Sequence, residues 1–368
     1  MFDKKTSIVF FGSGDFPYPT FKTILENEIY DVRGLVTSPY KPYIHNETLK
    51  DVADKHNIPV YSTHKPNCTE LVEWLKEKEA DIFCVISYKF LSNEILNIPK
   101  ITAFNIHASL LPLFKGAAPI NWAIRCGMKS TGLTSFVMDN KIDSGEIINN
   151  IKIPIEDTDD FEKVYKRLSV LSVGFTIDTI VRITAHKDWR RYLLIQPSFD
   201  EIDTDKYDTI LKAPKLNKDN TTLPIFRSLD SYALAPFDEK DVYNIIRSLS
   251  PNIGCYAVIS VWKNPFDDIN DDLDYINSPM DSFVKAFNVK IYEAELIRMS
   301  LSDLPKEGFL SNVITDGKTY MYIMYDEGYA VSIKTIQIEG KKKLSIKDFL
   351  AGFQYARDKN KFLTISGN

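Results

Sequence analysis

The residues best suited to chemistry lie in two stretches, FNIHASLLPLFKGAAP (residues 104–119) and MDNKIDSGEII (138–148). In an extended segment side chains alternate with a period of two, so Asn105 and His107 point to the same side. Pro112, Gly116 and Pro119 then impose a rigid turn rather than a helix. About 30 residues further on, Asp139 and Asp143 occupy a second loop beside a short strand. A carboxylate that reaches an imidazole holds its tautomer and raises its basicity. An amide beside it can stabilise an oxyanion. Asn, His and Asp together make an acyl-transfer site without a covalent nucleophile. Spacing alone leaves an alternative open, with His107 a hydrogen-bonded core histidine and Asn105 a turn residue.

The elements that position these residues follow from hydrophobic patterning. SIVFFG (7–12), YDVRGLVTS (30–38), IPVYS (58–62), DIFCVIS (81–87) and ITAFNIHA (101–108) read as buried strands. Helical segments such as PTFKTILENE, LKDVADKHN and CTELVEWLKEKEA separate them. Apolar strands alternating with helices imply a parallel sheet covered on both faces, continuing to about residue 195. In such a sheet ligands bind outside the carboxyl ends of the strands, where Asn105 and His107 stand. GSGDF after the first strand is a lone G-x-G. The full dinucleotide fingerprint is missing, and PYPT is expected to break the turn-to-helix geometry, which argues against nicotinamide binding. PSFDEIDTDKYDTILKAPKLNKDNTTLP (197–224) reads as a linker. FDEKDVYNIIRSLS (237–250) is a helix ending before Pro251. Alternating runs then follow, CYAVISVW, FNVKIYEAELI, TYMYIMY and YAVSIKTIQIEG, which suit a small barrel or sandwich. The acidic stretch at 264–282 reads as an exposed insertion.

The chain has 368 residues, which suggests two domains. Apolar residues make up 44% and charged residues 26%, the balance of a globular protein. Cys68, Cys84, Cys126 and Cys255 form no CxxC pair, which argues against a zinc site or a disulfide framework and suits a reducing cytosol. No run approaches the roughly 18 apolar residues that span a bilayer. The apolar run in MFDKKTSIVFFGSGDF is too short for a signal peptide, and residues 1–6 are too few for a transit peptide, so cytoplasm is the default location. A protein that binds nucleic acid over its whole surface would be basic, but a net charge of −5 leaves room for a local basic patch, so the total decides little.

FNIHASLLPLFKGAAPINWAI with IDSGEII resembles the signature of the folate-dependent formyltransferases: N-x-H, S-L-L-P, G-x-x-P and a downstream Asp. IVFFGSGDFPYPTF and LSNEILNIP resemble the members of that family that act on methionyl-tRNA. So do KAPKLNKDN, at the interdomain linker, and GKKKLSIKDFLAGF, near the end of the second domain. The resemblance runs nearly the whole length. It implies a Rossmann-like, mostly parallel α/β formyltransferase domain (1–200), a linker (201–220) and a smaller OB-like β-barrel domain (221–368). The implied donor is 10-formyltetrahydrofolate, with no metal, and the implied catalytic residues are Asn105, His107 and Asp143. Donor contacts are expected from Ile86, Ser87, Tyr88, Leu91, Ser109, Leu110, Leu111, Pro112 and Asp139. Ser87, Tyr88 and Asp139 could equally be structural. Acceptor contacts are expected from Phe11, Gly12, Ser13, Lys41, Gly116, Lys212, Lys215 and Lys218. The protein is expected to be a monomer.

Two acceptors share this catalytic domain: the amino group of initiator methionyl-tRNA, and the amine of a nucleotide-linked sugar. The β-rich second domain and its lysines favour tRNA. Lys212, Lys215, Lys218 and Lys341–Lys343 could meet acceptor-stem phosphates. One departure points the other way. After the second strand the tRNA-directed members usually carry a basic loop, P-D-R-P-x-G-R-G-K-K. Here SPYKPYIHNET (38–48) is shorter, lacks glycine and keeps only Lys41. The usual G-T-P-D/E-F opening is likewise GSGDF.

Overall fold

A computed structural model describes residues 5–42, 44–197, 212–224, 239–263, 283–299, 312–324, 328–358 and 360–367. The acidic stretch 264–282 and residues 201–211 of the expected linker lie outside them. The chain divides into two compact units. One is drawn from Met1–Ala123, Lys129–Ile155 and Lys163–Lys215, the other from Ile124–Met128, Glu156–Glu162 and Leu216–Asn368.

The first unit carries β1 (Thr6–Gly12), α1 (Tyr18–Glu26), β2 (Tyr30–Thr37), α2 (Leu49–Lys55), β3 (Val60–Ser62), α3 (Thr69–Glu77), β4 (Ile82–Ile86), α4 (Asn93–Leu96) and β5 (Thr102–His107). There follow β6 (Lys115–Gly116), α5 (Pro119–Arg125), β7 (Ser130–Val137), β8 (Ile147–Pro154), α6 (Phe161–Thr184) and β9 (Lys212–Ala213). The main sheet has the order β3-β2-β1-β4-β5-β7-β8. The first five strands run parallel, and β7 and β8 add an antiparallel edge.

Alternation sorts the core by parity. Val9, Phe11, Phe83, Val85 and Ala103 share one face, packed with Leu71, Leu75, Leu91 and Ile95 from α3, α4 and the segment before α4. On the other face Phe10 meets Phe21 of α1 with ring centroids 5.0 Å apart. Asn105 and His107 continue the Ala103 face. Two expectations about proline need correction. PYPT does not interrupt the approach to α1, because Pro17 is the N-cap residue and Pro19 falls in the first turn, where a missing N–H costs nothing. Pro119 likewise opens α5 instead of extending the turn.

The second unit carries α7 (Glu239–Leu249), β10 (Cys255–Lys263), β11 (Phe283–Arg298), β12 (Val313–Thr315), β13 (Met321–Ile323), β14 (Tyr329–Ile338), β15 (Leu344–Ser345), α8 (Ile346–Gly352) and β16 (Lys361–Ser366). The antiparallel order is β12-β13-β14-β11-β10-β16. Asn312 draws the two ends together. Its side chain donates to the Ile365 carbonyl at 2.7 Å and accepts the Ile365 N–H at 2.9 Å, copying a strand pair. The result is a nearly closed barrel, as expected, filled by Ile259, Ile291, Val331 and Ile333 with Val242 and Ile246 of α7. No helix among the described residues is long and apolar enough to cross a membrane.

Candidate active site

β5 delivers Asn105 and His107 to the carboxyl end of the parallel strands, between β4 and β7. The His107 side chain is almost fully buried, and its Nε2 lies 2.9 Å from the Phe114 carbonyl oxygen. A carbonyl only accepts, so Nε2 carries the proton in this contact. Nδ1 faces Asp143 Oδ2 at 3.7 Å, beyond direct hydrogen bonding. Asn105 Oδ1 is buried and has no hydrogen-bond partner among the described residues. A buried amide oxygen left unpaired costs stability, and such an atom is a feature of a site built for a further partner.

The turn after β5 is fixed from three directions. Ser109 Oγ donates to the Leu113 carbonyl at 2.6 Å. Thr134 Oγ1 on β7 donates to the Ser109 carbonyl at 2.7 Å and accepts the Leu111 N–H at 3.1 Å. β6 pairs with β9, so two residues of the expected linker belong to the edge of this turn. Gly116 has φ +122°, and a Cβ there would stand 2.6 Å from the Ala213 carbonyl oxygen. Its N–H donates to Asp143 Oδ2 at 2.8 Å, which fixes the carboxylate beside the imidazole.

Asp143 lies in the β7–β8 loop with a left-handed backbone, φ +49°. Gln196 steadies this loop. Its Nε2 donates to the carbonyls of Asp143 at 3.0 Å and Gly145 at 2.8 Å. A Cβ on Gly145 would lie 1.7 Å from the Val137 carbonyl oxygen, so only glycine fits there. Burial lowers the Lys115 ammonium from its ordinary value, and the charges of Asp143 and Asp139 oppose that shift. Lys115, Phe114 and Gln196 were not singled out in the sequence. Lys115 sits inside the quoted motif and could have been; Gln196 carried no signal.

A cavity of about 560 Å³ opens at the start of β5, and neither Asn105 nor His107 lines it. Ile101 and Ala103 line it together with Leu96, Met138, Asp139 and Arg190. Its size lies in the range of small-molecule sites. Asp139 thus lines the cavity, and its Oδ1 also accepts the Lys141 N–H at 2.9 Å. Ile86 and Leu91 are fully buried in the sheet and its cover. Ser87 is exposed, has φ +53° and accepts the Ser13 N–H on its carbonyl. Tyr88 packs edge-on against Phe11 at 5.7 Å. Ser109, Leu111 and Pro112 are buried in the turn, and Leu110 is partly so. Phe11 and Gly12 are buried at the end of β1, with Ser13 half-buried after them.

The lysines expected at the acceptor are exposed: Lys41, Lys212, Lys215 and Lys218. The loop 38–48 is tied down. Tyr18 stacks on His45 at 3.9 Å, and its hydroxyl donates to Glu47 at 2.7 Å. Burial, then the Glu47 contact, pushes the Tyr18 phenol up to about 12. Among the described residues no group of three or more His, Cys, Asp or Glu could hold a metal.

Residues 5–180 match the formyl transferase family. A methionyl-tRNA formyltransferase of Bacteroides fragilis is 30% identical over 353 residues, covering 94% of each chain. That of Bacteroides thetaiotaomicron is 30% identical over 352 residues, covering 94% of this chain and 95% of its own. Among solved structures, a sugar 3N-formyl transferase crystallised with dTDP and 5-N-formyl-THF superposes with a TM-score of 0.56. It is 18% identical and covers 92% of this chain and all of its own. An N-formyltransferase of Helicobacter canadensis gives 0.55 at 15% identity, covering 90% and 99%. These two likenesses are of fold.

Proposed function

The chain belongs to the formyl transferase family, and from that membership we propose that it moves the formyl group of 10-formyltetrahydrofolate to the α-amino group of initiator methionyl-tRNA. One observation carries the choice of acceptor. Identity with the methionyl-tRNA formyltransferases extends over 94% of the chain and so takes in the barrel unit as well as the catalytic one.

The donor runs along the Ile101–Ala103 cavity, with its pterin against backbone groups of Ile86–Leu91 and the 139–143 loop. The cavity volume and Asp139 in its lining support this placement. The acceptor amine enters past Phe11–Ser13 and attacks the formyl carbon. A C–N bond forms as the bond to N10 of the folate breaks. Asn105 donates to the oxygen that gathers negative charge, an effect typically worth about 3–4 kcal/mol. His107 keeps Nε2–H on Phe114 and uses Nδ1 to take the amine proton and return one to the leaving nitrogen. Asp143 faces that nitrogen and stabilises the charge it gains. Lys212, Lys215, Lys218 and Lys341–Lys343 meet phosphates of the tRNA.

A second reading rests on the loop 38–48, which is short, pinned by Tyr18 and Glu47, and holds Lys41 alone of the expected basic residues. Such a loop suits a small acceptor, a nucleotide-linked amino-sugar. Offering both acceptors in one reaction separates the two. The labelled formyl group is expected on methionyl-tRNA; label on the sugar alone reverses the assignment.

A further inference from the structure

Resting on the formyl-transfer reading, we propose that Gln196 is a positioning residue of the reaction, a clamp that presents Asp143 to His107. Asp143 holds a left-handed backbone, φ +49°, which aspartate adopts only as an isolated position. Contacts from outside the turn help to hold it there. The single NH₂ group of Gln196 spans the carbonyls of Asp143 and Gly145, one on each side of Ser144. The segment bearing Gln196 is itself fixed. Leu194 pairs with Ile147 at the start of β8, through bonds of 2.7 and 2.9 Å. The clamp therefore ties the catalytic loop to the sheet edge rather than to another loop.

The other end of the side chain argues for function over stability. Gln196 Oε1 is buried without a hydrogen-bond partner among the described residues, like Asn105 Oδ1. A methionine of similar length would avoid that cost. What methionine cannot do is donate twice and hold the turn. The Gly116 N–H would still bind the carboxylate of Asp143, but its approach to Nδ1 would loosen.

The test compares wild type, Gln196→Met and Gln196→Glu in transfer from 10-formyltetrahydrofolate to methionyl-tRNA. It also records the ring-nitrogen NMR signals of His107, identified among the five histidines by their loss in His107→Gln. Misplacing a catalytic group by about 1 Å costs about a hundredfold, so both variants are expected to lose roughly ten- to a hundredfold in kcat. KM for donor and acceptor should hold, and both variants should stay fully folded at the assay temperature, with at most a modest fall in thermal midpoint from the two lost hydrogen bonds. The His107 signals should move while those of the other histidines stay. Unchanged His107 signals overturn the proposal whatever happens to turnover. So does a loss confined to KM, or one that merely follows the folded fraction. If wild type itself transfers nothing, the functional reading fails, and the NMR comparison still decides the clamp.

Discussion

His107 is tied to its own turn: its Nε2 lies 2.9 Å from the carbonyl oxygen of Phe114, seven residues on, at a position with φ +58°. This contact fixes one nitrogen as a donor and leaves Nδ1 facing Asp143, the nitrogen to which the proposed mechanism assigns proton transfer. His107→Gln keeps a side chain able to donate to Phe114 but has no second nitrogen to titrate. It should fold and lose roughly a hundredfold or more in kcat. Circular dichroism and steady-state formylation check the two halves of this statement.

Asn105 makes a different prediction. Its oxygen is buried without a partner, so removing the amide should leave stability unchanged or slightly raised. Turnover of Asn105→Ala should nevertheless fall roughly 10²–10³-fold, the cost of losing an oxyanion donor. A clear drop in thermal midpoint with little change in rate would make the residue structural.

Gly145 is a steric test of the Asp143 loop. Any Cβ meets the Val137 carbonyl oxygen at 1.7 Å, and backbone must move to relieve it. Gly145→Ala should destabilise by about 1–3 kcal/mol in urea unfolding. Its residual activity per folded molecule should also fall, since the loop carries Asp143.

Asp316 supplies the pH dependence. Asp316 is exposed, and although desolvation acts to raise its carboxyl, hydrogen bonds from Thr319, Lys318 and Tyr320 prevail and hold it well below the ordinary carboxylate range. A carboxyl depressed in the folded state adds stability above its unfolded pKa and loses it as pH falls toward the folded value. Asp316→Ala should therefore be less stable than wild type at pH 7, and the gap should narrow below about pH 4, where the unfolded carboxyl protonates. Chemical denaturation across that range reads it directly. A gap that is constant with pH would leave only the turn geometry.

Lys212, Lys215 and Lys218 test the nucleic-acid reading. Each phosphate neutralised contributes about 0.7–0.9 to the slope of log affinity against log salt. Changing all three to alanine should weaken methionyl-tRNA binding and flatten that slope. An unchanged slope would place these lysines away from phosphate.

Much of the catalytic unit was legible because buried parallel strands read as unbroken apolar runs, as in IVFFG and DIFCVI. Asn105 and His107 stood out through their two-residue spacing ahead of a proline- and glycine-rich turn. The antiparallel edge β7–β8 was not read as such, since STGLTSFV mixes hydroxyls with its apolar residues. α6 escaped notice for a related reason. Its buried face includes Ser169, Ser172, Thr176 and Thr179, whose hydroxyls donate back to main-chain carbonyls or, for Ser169, to Phe16. Gln196 and Asn312 were invisible in principle. Each works through a contact with chain more than fifty residues away, and neither lies in a periodic pattern.

The most direct measurement is single-turnover formylation of initiator methionyl-tRNA with 10-formyltetrahydrofolate at low salt, wild type beside Asp143→Asn. Rapid labelling by wild type, slowed at least tenfold in the folded variant, is the predicted result, since the amide preserves shape but not charge. Absence of labelling by wild type with folate still bound would contradict the tRNA assignment. Equal rates for the two proteins would remove Asp143 from the chemistry.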